Sequence, residues 1–468
     1  MKKKDKIILK DVNIETIAAE GKSLGHVDGK VIFVPGSVPG DVVDVRLCKK
    51  RKGYLEGVIV NMIKPSPVRV KPFCPHFGIC GGCVWQSIPY EMQLKSKQQQ
   101  VVDQLTRIGH LDIPEIMPIL PSLKTTEFRN KLDFTFSKKR WILSGEDPDG
   151  LSDTERLGLG FHVKGMFDKV LDIKTCSLQR EPSNKIRLFV KDYAISHGLE
   201  FFDLREQTGF LRNLVIRTSS GGETMVIVSF AREDEQARHG LLDAVAEKFP
   251  EVTSIYYYIN GKANDSTDGL ECFHYSGSRY IYESMENIKF RIGPKSFFQT
   301  NSGQACRLYD TVRSFCELKG DEVLYDLYTG TGTIALFLSR GVKKVVGIEY
   351  VEEAIADAKI NAGENNIENA SFFAGDMKDI LNAGFINENG HPDVIVLDPP
   401  RAGIHPDVAK TILEAEPARI VYVSCNPATQ ARDLEVLSQK YRVDKIRPVD
   451  MFPQTAHVEN VAALSLRK

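Results

Sequence analysis

The sequence predicts three folded units of different class: a small N-terminal β-barrel, a central α+β domain built around a cysteine cluster, and a C-terminal α/β domain with a doubly wound parallel sheet. Three observations carry this expectation. The 468 residues exceed what one hydrophobic core usually holds. Residues from Lys6 to about Ile63 give short β-type runs broken by glycine turns. The last third alternates apolar strand runs with amphipathic helices, which implies right-handed crossovers and ligands at the carboxyl ends of the strands. The divisions fall at residues 1–64, 65–292 and 293–468.

Apolar residues make up 42% of the chain and charged residues 26%, which describes an ordinary globular protein. No run approaches the roughly 20 apolar residues of a membrane span, and basic Met1 to Lys10 lacks the apolar stretch of a signal peptide, so the cytoplasm is the expected compartment. With a net charge of −1, any nucleic-acid binding has to use local patches: Lys2 to Lys4, Lys49 to Lys52, or Lys138 to Arg140. Nine cysteines without a secretory context argue for metal or catalytic use rather than a disulfide framework.

In chain order, Ile7-Ile8-Leu9, Val31 to Val34, Val42 to Val45 and Gly57 to Val60 suit a small antiparallel barrel of a kind that often binds oligonucleotides. Pro65-Ser66-Pro67 reads as a linker. Cys74, Cys80 and Cys83 follow within ten residues, with Gly81 and Gly82 letting backbone N–H groups approach the sulfurs. Cys176 is the candidate fourth thiolate, Cys48 an alternative, and His76 a weaker competitor. Four thiolates suit either a tetrahedral zinc or a cubane iron–sulfur cluster. Tyr90 to Gly109 reads as a polar helix that can pack on the catalytic domain. Strands at Lys131 to Phe136, Asn213 to Thr218, Thr224 to Phe230 and Ser254 to Ile259, with helices near Asn184 to His197 and Glu233 to Lys248, make the central α+β domain.

In the last third, strands are expected at Val323 to Tyr328, Lys343 to Ile348, Ser371 to Ala374, Val394 to Leu397 and Ile420 to Ser424. Gly330 and Gly332 let a ligand approach the backbone, and Glu349 closes the next strand where a ribose would be held. Asp376 and Asp398-Pro399-Pro400-Arg401 at later strand ends favour S-adenosylmethionine over a dinucleotide. Cys425 follows the fifth strand. Asn426 can cap a helix beginning at Pro427, and the adjoining dipole is expected to lower the thiol pKa.

Phe297-Phe298-Gln299-Thr300-Asn301, Asp398-Pro-Pro-Arg401, Ser424-Cys425-Asn426-Pro427 and His457-Val458-Glu459-Asn460 together resemble the signature set of the RNA uridine 5-methyltransferases. The resemblance covers nearly the whole chain. It implies a TRAM-like barrel, a class I methyltransferase domain, and Cys74, Cys80, Cys83 and Cys176 as ligands of a four-iron, four-sulfur (4Fe-4S) cluster. It also implies cofactor contacts from Gln299, Tyr328, Thr333, Glu349, Asp376 and Asp398, Thr333 standing where relatives often carry asparagine. Barrel plus cluster resembles the 23S ribosomal RNA branch, and a transfer RNA substrate is the alternative.

The chemistry that the resemblance implies requires these residue types. Carbon 5 of uracil is a poor nucleophile, so a Cys425 thiolate adds to carbon 6 and creates an enolate that takes the methyl group. Glu459 then removes the carbon 5 proton, and elimination frees the enzyme. Arg401 is placed to offset enolate or phosphate charge. A target base inside folded RNA has to be extruded into the pocket. The competing readings are a cytosine 5-methyltransferase, expected to carry a Pro-Cys motif or a second catalytic cysteine, and a non-catalytic iron–sulfur RNA-binding or assembly factor. No obligate protein partner is inferred.

Overall fold

The computed structural model describes residues 7–18 and 21–468, so the basic patch Lys2 to Lys4 lies outside the described residues. Strands β1 (Ile8–Ile17), β2 (Lys22–Val27), β3 (Lys30–Pro35), β4 (Val42–Lys50) and β5 (Tyr54–Lys64) form a closed barrel in the order β1-β2-β3-β5-β4. The barrel is not wholly antiparallel as expected: β3 and β5 run parallel. Its core is a ring of branched side chains, Val12, Ile14, Ile32, Val34, Val43 and Val45, pointing inward at alternate positions. The Pro65-Ser66-Pro67 linker is corrected too. Ser66 is buried, its N–H donating to Asp41 at 2.8 Å and its hydroxyl to the Pro39 carbonyl at 2.7 Å, so the segment is packed on the barrel.

Helix α1 (Tyr90–Arg107) leaves the cysteine-bearing loop and packs against the C-terminal domain, its Val101 and Leu105 joining that domain's core. The central domain is a seven-stranded sheet. Its strands are β6 (Lys131–Ser137), β7 (Gly158–His162), β8 (Val170–Asp172), β9 (Leu211–Thr218), β10 (Thr224–Phe230), β11 (Ser254–Ile259) and β12 (Cys272–Gly277), in the order β12-β11-β10-β9-β6-β7-β8. Helices α2 (Ser183–Ser196) and α3 (Glu235–Lys248) cover one face, with Ile186, Val190, Leu241 and Val245 in a shared core. The other face meets the C-terminal domain, where Met225, Ile227 and Tyr256 pack with the hairpin β13 (Ile281–Met285) and β14 (Ile288–Ile292). This alternation along β10 and β11 follows from the two-residue period of a strand buried on both faces.

The C-terminal sheet has the order β17-β16-β15-β18-β19-β21-β20. Five strands are parallel: β15 (Val323–Leu327), β16 (Lys344–Glu349), β17 (Ala370–Ala374), β18 (Val394–Leu397) and β19 (Arg419–Ser424). The sheet is not parallel throughout, because β20 (Tyr441–Val449) and β21 (Glu459–Leu466) form an antiparallel pair at one edge. Helices α4 (Ser302–Cys316), α5 (Thr333–Leu338) and α6 (Glu352–Glu364) pack on one face; α7 (Met377–Ile380), α8 (Ala383–Asn389), α9 (Pro406–Ala415) and α10 (Pro427–Leu437) lie with α1 on the other. Strand order reverses between β15 and β18, which opens a crevice at their carboxyl ends. No helix among the described residues is long and apolar enough to cross a membrane.

Candidate active site

Cys425 sits one residue beyond β19, and Glu459 opens β21. The two strands pair with Ser424 opposite Asn460, so the register sets the thiol beside the carboxyl group. Buried Gln430 locks this arrangement: its amide nitrogen donates to the Tyr422 and Asn460 carbonyls, and it accepts from Asn460 at 2.7 Å. Asn426 caps α10 by accepting from the Ala428 N–H at 3.2 Å, with Pro427 at the first helical position. The Asn426 amide and the Thr429 hydroxyl both donate to the Arg401 carbonyl, which ties the Asp398–Arg401 turn to the cysteine turn.

The expected lowering of the Cys425 pKa is overturned. Burial pushes the thiol up to about 11, and Glu459 and Asp398 push the same way; Arg401 beside it pulls down. A helix terminus contributes only partial charge, whereas two carboxyl groups and loss of water act more strongly here. Burial likewise raises Glu459 to about 8 and Asp398 to about 7, each also raised by a neighbouring acid. Glu459, Asp398, Cys425 and Arg401 therefore form one coupled group in which few negative charges coexist. His457 meets the Arg401 guanidinium at 3.5 Å, and burial, together with Arg401, Lys97 and Arg129, lowers its pKa.

Other C-terminal candidates lie at or just beyond the carboxyl ends of the parallel strands. Gly330 has φ +56°, and a Cβ there would meet nothing within 4 Å, leaving open space above the loop. Gly332 has φ +79° and no such room, since a Cβ would lie 3.0 Å from Ala358 and 3.2 Å from the Phe372 ring. Tyr328, between β15 and this loop, holds φ +68°, a left-handed conformation rare for an aromatic residue. Asp326 at the end of β15 is fully buried, accepts from the Thr329 hydroxyl and the Ala335 N–H, and is raised to about 7 by burial. The Glu349 carboxylate accepts from the Gly330 and Val351 N–H groups, both at 3.1 Å, which pre-orients it at the end of β16. Thr333 bonds the buried Tyr309 hydroxyl at 3.2 Å. Asp376 caps α7 and pairs with Lys378 at 3.1 Å. Tyr328 and Asp376 share a cavity of about 620 Å³ with the exposed Tyr350 ring, Met377 and Pro400.

Cys74, Cys80, Cys83 and Cys176 all line one cavity of about 550 Å³ between the α1-proximal loop and the central sheet; exposed Cys48 on β4 does not. Burial raises the Cys80, Cys83 and Cys176 thiols, and each is raised further by its neighbours. The Arg129 guanidinium lies near Cys83 and Cys176. Among the described residues no group of three or more His, Cys, Asp or Glu side chains converges on a single metal-ion site. His76 accepts from the Lys174 N–H at 2.9 Å. Of the basic patches, Lys49 to Lys52 is exposed, whereas Lys139 is paired with Asp203 and Arg140 with Glu146.

Sequence reasoning gave no role to Asn130, Tyr309 or the loop Asp450 to Ala456. Their part lies in contacts between segments far apart in the chain, which no local pattern marks.

A Rossmann-type sheet with an acidic strand end at 349, an open glycine loop at 330 and a cysteine facing a buried acid defines an S-adenosylmethionine-dependent RNA methyltransferase. Residues 278–467 match the tRNA (uracil-5-)-methyltransferase family model, and residues 10–60 match the TRAM domain. An uncharacterized RNA methyltransferase of Bacteroides thetaiotaomicron is 55% identical over 454 residues, covering 96% of this chain and all of the relative. One from Porphyromonas gingivalis is 55% identical over 460 residues, covering 97% and 99%. The crystal structure of Pyrococcus abyssi tRNA (uracil-54, C5)-methyltransferase in complex with S-adenosyl-L-homocysteine superposes with a TM-score of 0.76 at 30% identity, covering 97% of this chain and all of that one. The chain belongs to the RNA (uracil-5-)-methyltransferase family.

Proposed function

We propose that the protein methylates carbon 5 of a uridine in 23S ribosomal RNA, with Cys425 as nucleophile and Glu459 as base. The observation that carries this reading is the pairing of β19 with β21, which sets the thiol against a buried carboxyl group. In this reading Gln299, Tyr328, Thr333, Glu349, Asp376 and Asp398 contact the cofactor, a set the family resemblance implies and the shared cavity of Tyr328 and Asp376 supports. Bound there, S-adenosylmethionine supplies a methyl group on a sulfonium sulfur. The Cys425 thiolate, stabilised by Arg401, adds to carbon 6 of the extruded base; carbon 5 takes the methyl group, and S-adenosylhomocysteine leaves. Ionised Glu459 accepts the proton from carbon 5, the Cys425–carbon 6 bond breaks, and the thiolate returns. Burial raises Glu459 to about 8, which suits its carboxylate to accept a proton.

Cys74, Cys80, Cys83 and Cys176 are the ligands of a 4Fe-4S cluster in this reading. The four cysteines lining one cavity support a shared thiolate site, and zinc is the alternative to the cluster. The cluster's role is structural and RNA-positioning. Loss of turnover on cluster removal, with fold and RNA affinity both intact, would contradict that role.

A transfer RNA substrate is the second reading, favoured by the full-length likeness to an archaeal enzyme that acts on transfer RNA. Transfer of labelled methyl groups to unmodified 23S RNA and, separately, to transfer RNA tests both. Label as 5-methyluridine in 23S RNA that vanishes with Cys425→Ala supports the first reading. Label only in transfer RNA supports the second. No label in either, with cofactor bound, would leave a non-catalytic binding factor.

A further inference from the structure

The segment Phe297 to Asn301 lies between the β13–β14 hairpin and α4, belongs to neither, and leads into Ser302 at the start of the helix. Its conformation is imposed from outside, and one residue of the central domain supplies much of the restraint. The Asn130 side-chain amide donates to the Gln299 carbonyl and to the Ser302 hydroxyl, both at 2.9 Å. Its backbone N–H donates to the Thr300 carbonyl at 2.8 Å. Asn130 is itself fixed, because its own carbonyl accepts from the Thr218 N–H at 2.8 Å. The Ser302 hydroxyl passes its proton-side bond on to Glu283 at 2.6 Å, and Glu283 is 1% exposed and also accepts from the Ser220 N–H and hydroxyl. A buried carboxylate with all its neighbours donating is a rigid anchor.

We propose that Asn130 is a positioning residue for the methyl-transfer reaction: by holding the Gln299 and Thr300 carbonyls from the central domain, it fixes the segment that presents Gln299 to the cofactor. The inference rests on the reading above that Gln299 contacts S-adenosylmethionine. It adds that cofactor affinity depends on a residue of the other domain that never touches the cofactor. The geometry is specific to an amide, because one NH2 group bridges two acceptors while the residue's backbone completes the clamp. Loss of the side chain leaves the Thr300 bond in place but frees the Gln299 peptide to rotate.

The test uses the full-length protein and calorimetric titration with S-adenosylhomocysteine. Asn130→Ala is expected to weaken binding roughly tenfold, the scale of one or two lost hydrogen bonds. The KM for S-adenosylmethionine rises in step, while kcat at saturating cofactor, the KM for RNA and the thermal midpoint stay near wild type. Gln299→Ala weakens binding as well, and adding Asn130→Ala to it costs less than twofold more, since both changes act through one contact. Asn130→Asp, which keeps the size and the backbone bonds but loses both donors, carries the test if Asn130→Ala does not fold. Wild-type affinity in the Asn130 variants, or an undiminished effect in the Gln299→Ala background, overturns the proposal. Wild-type affinity in Gln299→Ala alone instead overturns the reading it rests on.

Discussion

Glu459→Gln should make Cys425 more reactive while abolishing turnover, and the two effects should separate by pH. The thiol is held near 11, with Glu459 among the causes, and Glu459 itself titrates near 8. At pH 6.5 Glu459 is almost wholly protonated in the wild type, so the substitution removes no charge, and alkylation of Cys425 by iodoacetamide should be unchanged. At pH 9 about nine-tenths of the wild-type molecules carry the charge, and the thiolate fraction is about 1%. A carboxylate in close reach shifts a neighbouring pKa by about one unit or more, so its removal should raise the thiolate fraction, and with it the alkylation rate, by roughly tenfold. With RNA and cofactor present the same variant cannot take the carbon 5 proton, so a covalent protein–RNA adduct should accumulate and survive denaturing electrophoresis. An alkylation ratio of one at both pH values would refute the coupling of thiol and carboxyl group; normal turnover would refute the role of Glu459 as base.

Lys97→Met should destabilise the fold by about 3–5 kcal/mol in urea titrations, because it strands the Asp450 carboxylate with which Lys97 pairs at 2.5 Å, both side chains having no exposure. Adding Asp450→Leu should recover most of that loss, and a single variant within 1 kcal/mol of wild type would contradict a buried ion pair there. Serine at Cys74, Cys80, Cys83 or Cys176 should each lower the iron and sulfide content of protein purified without oxygen, whereas Cys48→Ser should not; equal content in all five would remove the ligand assignment. Asp326, Asp398 and Glu459 have folded-state pKa values of about 7, 7 and 8, all raised above their unfolded values by burial. The folded state therefore keeps protons that the unfolded chain gives up. Their stabilising contribution is complete below about pH 4 and is lost as pH rises through 8, so they should lower the thermal midpoint progressively between about pH 4 and 8 and no further above it, less steeply in Glu459→Gln.

The sequence marked the C-terminal strands closely, because a buried parallel strand is a short run of branched residues between turn signals. Val394 to Leu397 coincides with β18 to the residue. It missed β2, Lys22–Val27, whose Ser23, Gly25 and His26 break the apolar pattern. Those positions are explained by the barrel: Ser23 donates to the Ser37 carbonyl at 2.8 Å, and a Cβ at Gly25 would lie 2.0 Å from the Asn13 carbonyl oxygen across the strand pair. Motif residues were legible individually and their electrostatics were not. The rise of the Cys425 pKa depends first on burial and then on Glu459 and Asp398, which lie far from it in the chain and reach it only through sheet order. Pairing of β19 with β21 rather than β20 is a tertiary fact that no local pattern encodes.

The loop Asp450 to His457 explains why so much of the N-terminal half bears on a reaction performed by the C-terminal sheet. It leads into Glu459, and its backbone is held from outside at Asp450, Met451, Phe452 and Gln454. Val84 and Trp85 donate to the Gln454 carbonyl, Gln93 exchanges two hydrogen bonds with Gln454, and Lys97 donates to the Phe452 carbonyl. Asn301 donates to the Met451 carbonyl, and Arg129 lies over the Phe452 ring. Ala456 packs with Val38 of the barrel around Trp85. Barrel, α1, cysteine loop and central strand thus meet at one stretch of chain. A buried base with a pKa near 8 is sensitive to small changes in its surroundings, because desolvation dominates its titration.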